Sequence, residues 1–136
     1  MAQAAGMSTE SFEDFYFRVC AGVDYRKMEA ACKPLVELMD ATDHVRIVGP
    51  GTELTFSIKD ISAKACFGER NIPDGECFSC PTKASPSGTI QFNCETLYRG
   101  TVFNNIKLTL RDGKVTTAAA DSPAATKKLN EILDAD

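Results

Sequence analysis

Six cysteines, one histidine and a glutamate set beside a tight turn are the residues of this chain whose types and spacing could do chemistry. The turn lies within residues 69–81, Glu-Arg-Asn-Ile-Pro-Asp-Gly-Glu-Cys-Phe-Ser-Cys-Pro. Pro73 fixes its own φ and drives Ile72 toward an extended conformation, while Asp74-Gly75 supplies a reversal that needs positive φ. Glu76 follows at once and opens an alternating segment, residues 76–80. On such a strand Glu76, Phe78 and Cys80 share one face, and Cys77 and Ser79 the other. A carboxylate pinned at a strand start is placed as a metal ligand or catalytic acid must be. The same placement suits an ordinary solvated strand residue, and Glu53 and Glu69 admit the same two readings.

Cys66, Cys77, Cys80 and Cys94 could offer four thiolates to a structural zinc ion, because Cys77 and Cys80 have the two-residue spacing of a zinc knuckle. A full signature has two knuckles, whereas here one pair is flanked by single cysteines. On a flat strand Cys77 and Cys80 would also point to opposite faces. A redox motif of the thioredoxin type belongs at a helix start, which this segment is not. The single histidine, His44, is distant in sequence and gives no Cys-His pair; at a strand start it reads as a polar edge residue. Cys20 and Cys32 occupy apolar positions of helical patterns, where free cysteine packs as a small hydrophobe.

These residues need elements to hold them. Ser8 can cap a first helix, with Met7 stapling against Phe12, and Phe12, Phe15, Tyr16 and Val19 form a stripe read as core or interface. Gly22 ends that helix and Asp24 caps the next, whose apolar face carries Tyr25, Met28, Cys32, Leu35 and Met39. Pro34 interrupts it, predicting a kink or restart near Lys33. From His44 the period changes to alternation: strands over residues 44–48 and 53–59 flank the Gly49-Pro50-Gly51 turn. Val48–Gly51 lacks the third glycine of a nucleotide-binding loop, and a strand rather than a helix follows it. Further strands are predicted over residues 63–67, 76–80, 89–94, 97–98, 101–103, 105–111 and 114–120. Residues 85–88 read as a turn, Arg99-Gly100 as a reversal and Asp112-Gly113 as a hairpin turn. Ser122-Pro123 opens a last helix with Ala125, Leu129, Ile132 and Leu133 on its apolar face. The fold class is α+β: an N-terminal helical pair, an antiparallel β-rich middle with tight hairpins and a C-terminal helix. The expected division is a helical segment, residues 1–42, and a β-rich segment with the terminal helix, residues 43–136. Asp134-Ala135-Asp136 gathers carboxylates at the negative end of a helix dipole, which suits a chain cut mid-course.

The 136 residues match one domain, and 43% hydrophobic and 25% charged residues are ordinary for a soluble protein. A net charge of -4 without a basic cluster argues against nucleic acid as a partner. No apolar run approaches the about 20 residues of a membrane span, so no membrane association is expected. The start has neither the basic nor the apolar region of a signal peptide, so the expected location is cytoplasmic and the thiols are expected to stay reduced.

Residues 45–57 (Val-Arg-Ile-Val-Gly-Pro-Gly-Thr-Glu-Leu-Thr-Phe-Ser), 70–76 (Arg-Asn-Ile-Pro-Asp-Gly-Glu) and 88–92 (Gly-Thr-Ile-Gln-Phe) together resemble the aminopeptidase T/aminopeptidase S (leucyl aminopeptidase) family of bacterial metallopeptidases. Residues 12–15, 34–39 and 128–130 fit the same resemblance. It covers nearly all of this chain but only a middle segment of a family member. It implies an enzyme that releases N-terminal amino acids from peptides with two divalent metal ions (zinc, cobalt or magnesium) and works as a homodimer when full length. The glutamate of the Pro-Asp-Gly-Glu motif is a metal ligand in the family, which carries over to Glu76. The family's other ligands (a glutamate, two histidines, a tyrosine and an aspartate) lie past the position matching Asp136, so this segment is expected to be inactive alone. The sequence departs from the family at Cys77 and Cys80, where an apolar and a small residue are expected. The alternative is a stand-alone α+β module with a structural Cys-ligated zinc and a binding role.

Overall fold

Side-chain caps set the helix starts. In the computed structural model, which describes residues 1–134, α1 spans Thr9–Cys20, and the Ser8 hydroxyl accepts the Ser11 amide at 3.1 Å. α2 spans Tyr25–Asp40, with the Asp24 carboxylate accepting the Arg26 and Lys27 amides at 3.2 Å each. α3 spans Pro123–Leu133, where the Ser122 hydroxyl accepts the Ala125 amide at 3.1 Å and Pro123 takes the first turn. Each cap satisfies amides that a helix start otherwise leaves orphaned. A single 3₁₀ turn, Gln3–Ala5, precedes α1. α2 runs unbroken through Pro34, so the helix does not restart near Lys33. Ala30 and Pro34 are both exposed, and water can reach the carbonyl that proline leaves without a donor.

Two compact units interleave along the chain: Met1–Ala41 with Ser62–Ser79, and Thr42–Ile61 with Cys80–Asp136. In the first, α2 is joined by a two-stranded antiparallel hairpin, β3 (Lys64–Cys66) and β4 (Glu76–Phe78). The second contains a five-stranded antiparallel sheet. Its strands are β1 (His44–Gly49), β2 (Thr52–Ser57), β5 (Ser87–Gln91), β8 (Lys107–Arg111) and β9 (Lys114–Ala119), in the order β1-β2-β5-β8-β9. A separate hairpin pairs β6 (Thr96–Tyr98) with β7 (Thr101–Phe103). The α+β class and its order of helices, strands and terminal helix are those the sequence predicts.

Phe103, 1% exposed, enters the core of the second unit beside Ala118, Ala125, Leu129 and Ile132. Burying side chains of the size of Phe103, Leu129 and Ile132 stabilises by about 1.5–3 kcal/mol each. The Asn130 amide group ties α3 to β9 by donating to the Ala118 carbonyl at 3.1 Å. Asp112 and Gly113 both have positive φ, 49° and 76°, as the two-residue hairpin turn requires.

Two details depart from the sequence reading. Ser87 and Gly88 belong to β5 rather than to a turn. Gly88 pairs with Leu54 and Leu110 at a φ of 123°, and a Cβ there would run into the Glu53 carbonyl, so glycine here permits strand contact. The aromatic stripe of α1 is not core among the described residues. Phe12 and Tyr16 are half-buried and stack at 6.2 Å, while Phe15 and Val19 are exposed at 42% and 43%. Periodicity identifies a face but not what covers it. The carboxylates read at residues 134–136 fall partly outside the described residues, because Ala135 and Asp136 do.

Candidate functional site

The candidate site is the end of the β3–β4 hairpin. Glu76 stands directly across the ladder from Cys66, Cys77 from Ala65 and Phe78 from Lys64. Opposite residues share a face, so Glu76 lies with Cys66 on one side and Cys77 with Ala65 on the other. The alternation holds over these three residues: Glu76 and Phe78 are exposed and Cys77 is half-buried. The strand ends at Phe78, two residues sooner than predicted. Ser79 is the last residue of the first unit, and Cys80 begins a segment of the second.

The connecting segment, residues 67–75, is closed by Asp74. One carboxylate oxygen accepts the Gly68 amide at 2.6 Å, and the other accepts the Gly75 amide at 3.0 Å. Hydrogen bonds to an ionised acceptor are the stronger kind, so this side chain clamps both ends of the loop. Asn71 adds a bond from its side-chain nitrogen to the Pro73 carbonyl at 3.1 Å. The Ile72-Pro73 peptide bond is cis.

α2 braces the loop from its first turns. Gly75 has a φ of 129°, and a Cβ on it would come within 3.0 Å of the Met28 methyl group. Gly75 thus combines positive φ with close approach to a side chain, two demands that glycine meets. The Tyr25 ring lies against Gly68, and its hydroxyl donates to the Cys20 carbonyl at 2.8 Å. On the covered face, the Cys77 thiol donates to the Cys32 carbonyl at 3.8 Å.

Two neighbouring hollows share Asn71 and Asp74. One, of about 310 Å³, is lined by Asn71, Pro73, Asp74, Gly75 and Glu76. The other, of about 290 Å³, is lined by Lys64, Ala65, Cys66, Glu69, Arg70, Asn71, Asp74 and Phe78. The local field is acidic. Burial pushes the Cys66 thiol above its ordinary value, and Asp74, Glu76 and Glu69 push it the same way against Arg70. Burial also raises Tyr25, helped by Cys20 and Asp74. Cys77 is raised by burial, then by its contact with Cys32 and by Cys66.

Of the candidate residues, Glu76, Glu69, Cys66 and Cys77 lie in the first unit. Glu53, in the second, is exposed and paired with Arg46 at 2.7 Å. His44 is exposed 3.5 Å from the Asp43 carboxylate. Cys80 and Cys94 are exposed in the second unit. Among the described residues, no three His, Cys, Asp or Glu side chains are grouped so as to hold a metal ion. The structure therefore does not assemble the four-thiolate set: Cys66 and Cys77 already point to opposite faces of one hairpin. Nor do the described residues complete a two-metal centre, since no group of three such donors includes Glu76. The sequence reading missed Asp74 as a clamp, although an Asp before Gly in a turn is the signal for such local bonds. It also missed Tyr25 and Met28 as braces, for which no local signal exists.

No helix among the described residues is long and apolar enough to cross a membrane. No curated protein matches the chain. Among solved structures, it resembles wild-type AmpT from Thermus thermophilus with a TM-score of 0.68 and 18% identity over 82% of its residues. At that identity the likeness concerns the fold. The chain spans 30% of the length of that protein. The family model described as thermophilic metalloprotease (M29) matches residues 1–136, and with the Pro-Asp-Gly-Glu turn, its clamped loop and the α+β order in place, this chain belongs to that metallopeptidase family.

Proposed function

We propose that this chain is one part of a metal-dependent aminopeptidase that releases N-terminal amino acids from peptides, with Glu76 as a metal ligand. The observation that carries the reading is the mounting of Glu76. It is an exposed carboxylate at the rim of a hollow, on a strand whose preceding loop is clamped by Asp74 and braced by Met28. A ligand set by its neighbours rather than by its own packing reaches a metal without reorganisation. A hard carboxylate suits zinc, cobalt or magnesium. Two such ions, when bound, supply Lewis-acid assistance to amide hydrolysis. In this reading residues 1–42 and 43–136 are parts of one longer cytoplasmic metallopeptidase, a homodimer when full length, and ligands outside this sequence complete the centre. This chain by itself is inactive, because one carboxylate does not hold two ions. The Cys-ligated zinc module is not favoured by any grouping of thiols.

The test uses the full-length enzyme. Glu76→Gln keeps size and shape but removes the charge, so metal content and peptidase activity fall by more than the roughly 10–100-fold that outer-shell changes cost, with the fold retained. Glu53→Gln, which loses only an exposed ion pair, leaves both close to wild type. Unchanged metal content and activity in Glu76→Gln would refute the assignment, and metal-dependent amino-acid release by the 136-residue chain would refute its inactivity.

A further inference from the structure

We propose that Cys32 and Cys77 form an oxidisable dithiol that closes to a disulfide, covalently tying α2 to the strand that carries Glu76. The inference concerns thiols alone and stands whether or not Glu76 binds metal. Cys32 sits on the buried face of α2, and Cys77 faces it from β4. The Cys77 thiol donates to the Cys32 carbonyl at 3.8 Å, so its sulfur lies against the residue that carries the second thiol. All six cysteines are free in this structure, so the pair is present in its reduced form. Cys66 is the other thiol of the hairpin, but it shares the face of Glu76 and points away from Cys77. The arrangement thus selects one partner for Cys77. Nothing in β4 demands a thiol for packing, since an apolar residue would fill the same half-buried position.

The difference in exposure orders the chemistry. Cys77, half-buried, is the more accessible and meets the oxidant first; Cys32 is buried beside it and resolves. With a small-molecule disulfide as oxidant, the Cys77 sulfur attacks one sulfur of the reagent. The reagent's S–S bond breaks and its first thiol leaves with a proton. Cys32 then attacks the Cys77 sulfur of the mixed disulfide, and the second reagent thiol leaves with the other proton. The protein gives up two electrons and two protons, and the oxidant becomes two thiols.

The experiment treats the chain under native conditions with glutathione disulfide, quenches with acid and an alkylating reagent, and maps unreduced peptides by mass spectrometry. The expected product joins Cys32 to Cys77, loses both thiol hydrogens and reverts with dithiothreitol. Hydrogen exchange at the β4 amides slows in the oxidised chain. Cys80→Ser, at an exposed position of the other unit, leaves the link unchanged, which assigns it within the 71–83 tryptic peptide that holds both Cys77 and Cys80. A link from Cys77 to Cys66 or Cys80, a mixed disulfide that persists at Cys77, or two thiols still free when Cys80 and Cys94 have reacted would each overturn the proposal. Because the wild-type chain is itself the test, the outcome does not depend on whether a Cys32 variant folds.

Discussion

The two compact units are built on different stocks of buried side chains. The second unit buries Leu54, Ile58, Phe103, Leu129 and Ile132, whereas the buried residues of the first are Cys20, Cys32 and Ala63. Small side chains remove little apolar area from water, so the first unit gains far less from burial. Its larger apolar groups are half-buried, as Phe12, Met28 and Phe67 are, or exposed, as Phe15, Phe17, Val19, Leu35, Leu38, Ile72 and Phe78 are. What orders it is polar and local, namely the Asp24 cap, the Asp74 clamp and the Tyr25 hydroxyl bond. The unit that carries Glu76 therefore rests on directional bonds near the site, and the unit without it rests on a core. Holding the proposed ligand Glu76 in place and stabilising a domain are here assigned to different parts of the chain.

The largest effect should separate the units by core mutation. Phe103→Ala removes a fully buried ring and is expected to cost about 3–5 kcal/mol, read as a lower urea midpoint. Phe15→Ala, on the exposed face of α1, should stay within about 0.5 kcal/mol in the isolated chain. Equal costs for the two would erase the contrast.

A smaller and more local effect is expected at the clamp. Asp74→Ala leaves the Gly68 and Gly75 amides without their acceptor and should cost about 1.5–3 kcal/mol. Hydrogen exchange at those two amides should accelerate while the second unit's sheet exchanges as before. If both amides kept their protection, the loop would be held by something other than Asp74.

The smallest effect is a dependence on alkali. Tyr25, Cys66 and Cys77, all in the first unit, titrate above their ordinary values chiefly because burial disfavours their anions. Each is neutral when protonated, so the folded state favours the protonated form. Their contribution is fully present below the unfolded values, 9.0 for the thiols and 10.0 for the phenol, and is lost as pH rises through the raised folded values. Urea midpoints should decline from about pH 9 upward, and less so in the Cys66→Ala, Cys77→Ala double variant. A wild-type midpoint that rose over that range would contradict the direction of these shifts.

What the sequence by itself determined is local. Ser8, Asp24 and Ser122 cap the helices they were expected to cap, because a cap is decided within three residues. Asp112-Gly113 makes its hairpin, Leu54 and Ile58 face inward together, and Glu76 begins a strand after a Pro-Asp-Gly turn, all for reasons of short-range φ and pleat. Tertiary structure alone decided what those faces meet. The α1 aromatics, read as core or interface, are half-buried at Phe12 and Tyr16 and exposed at Phe15, Ser87-Gly88 read as a turn and is strand, and Cys77, at a position where an apolar residue is expected, lies against Cys32. Period and propensity state which side chains share a face. The partner of that face comes from segments far along the chain, as when residues 62–79 return to α2 and make Tyr25 and Met28 the braces of a loop more than 40 residues away.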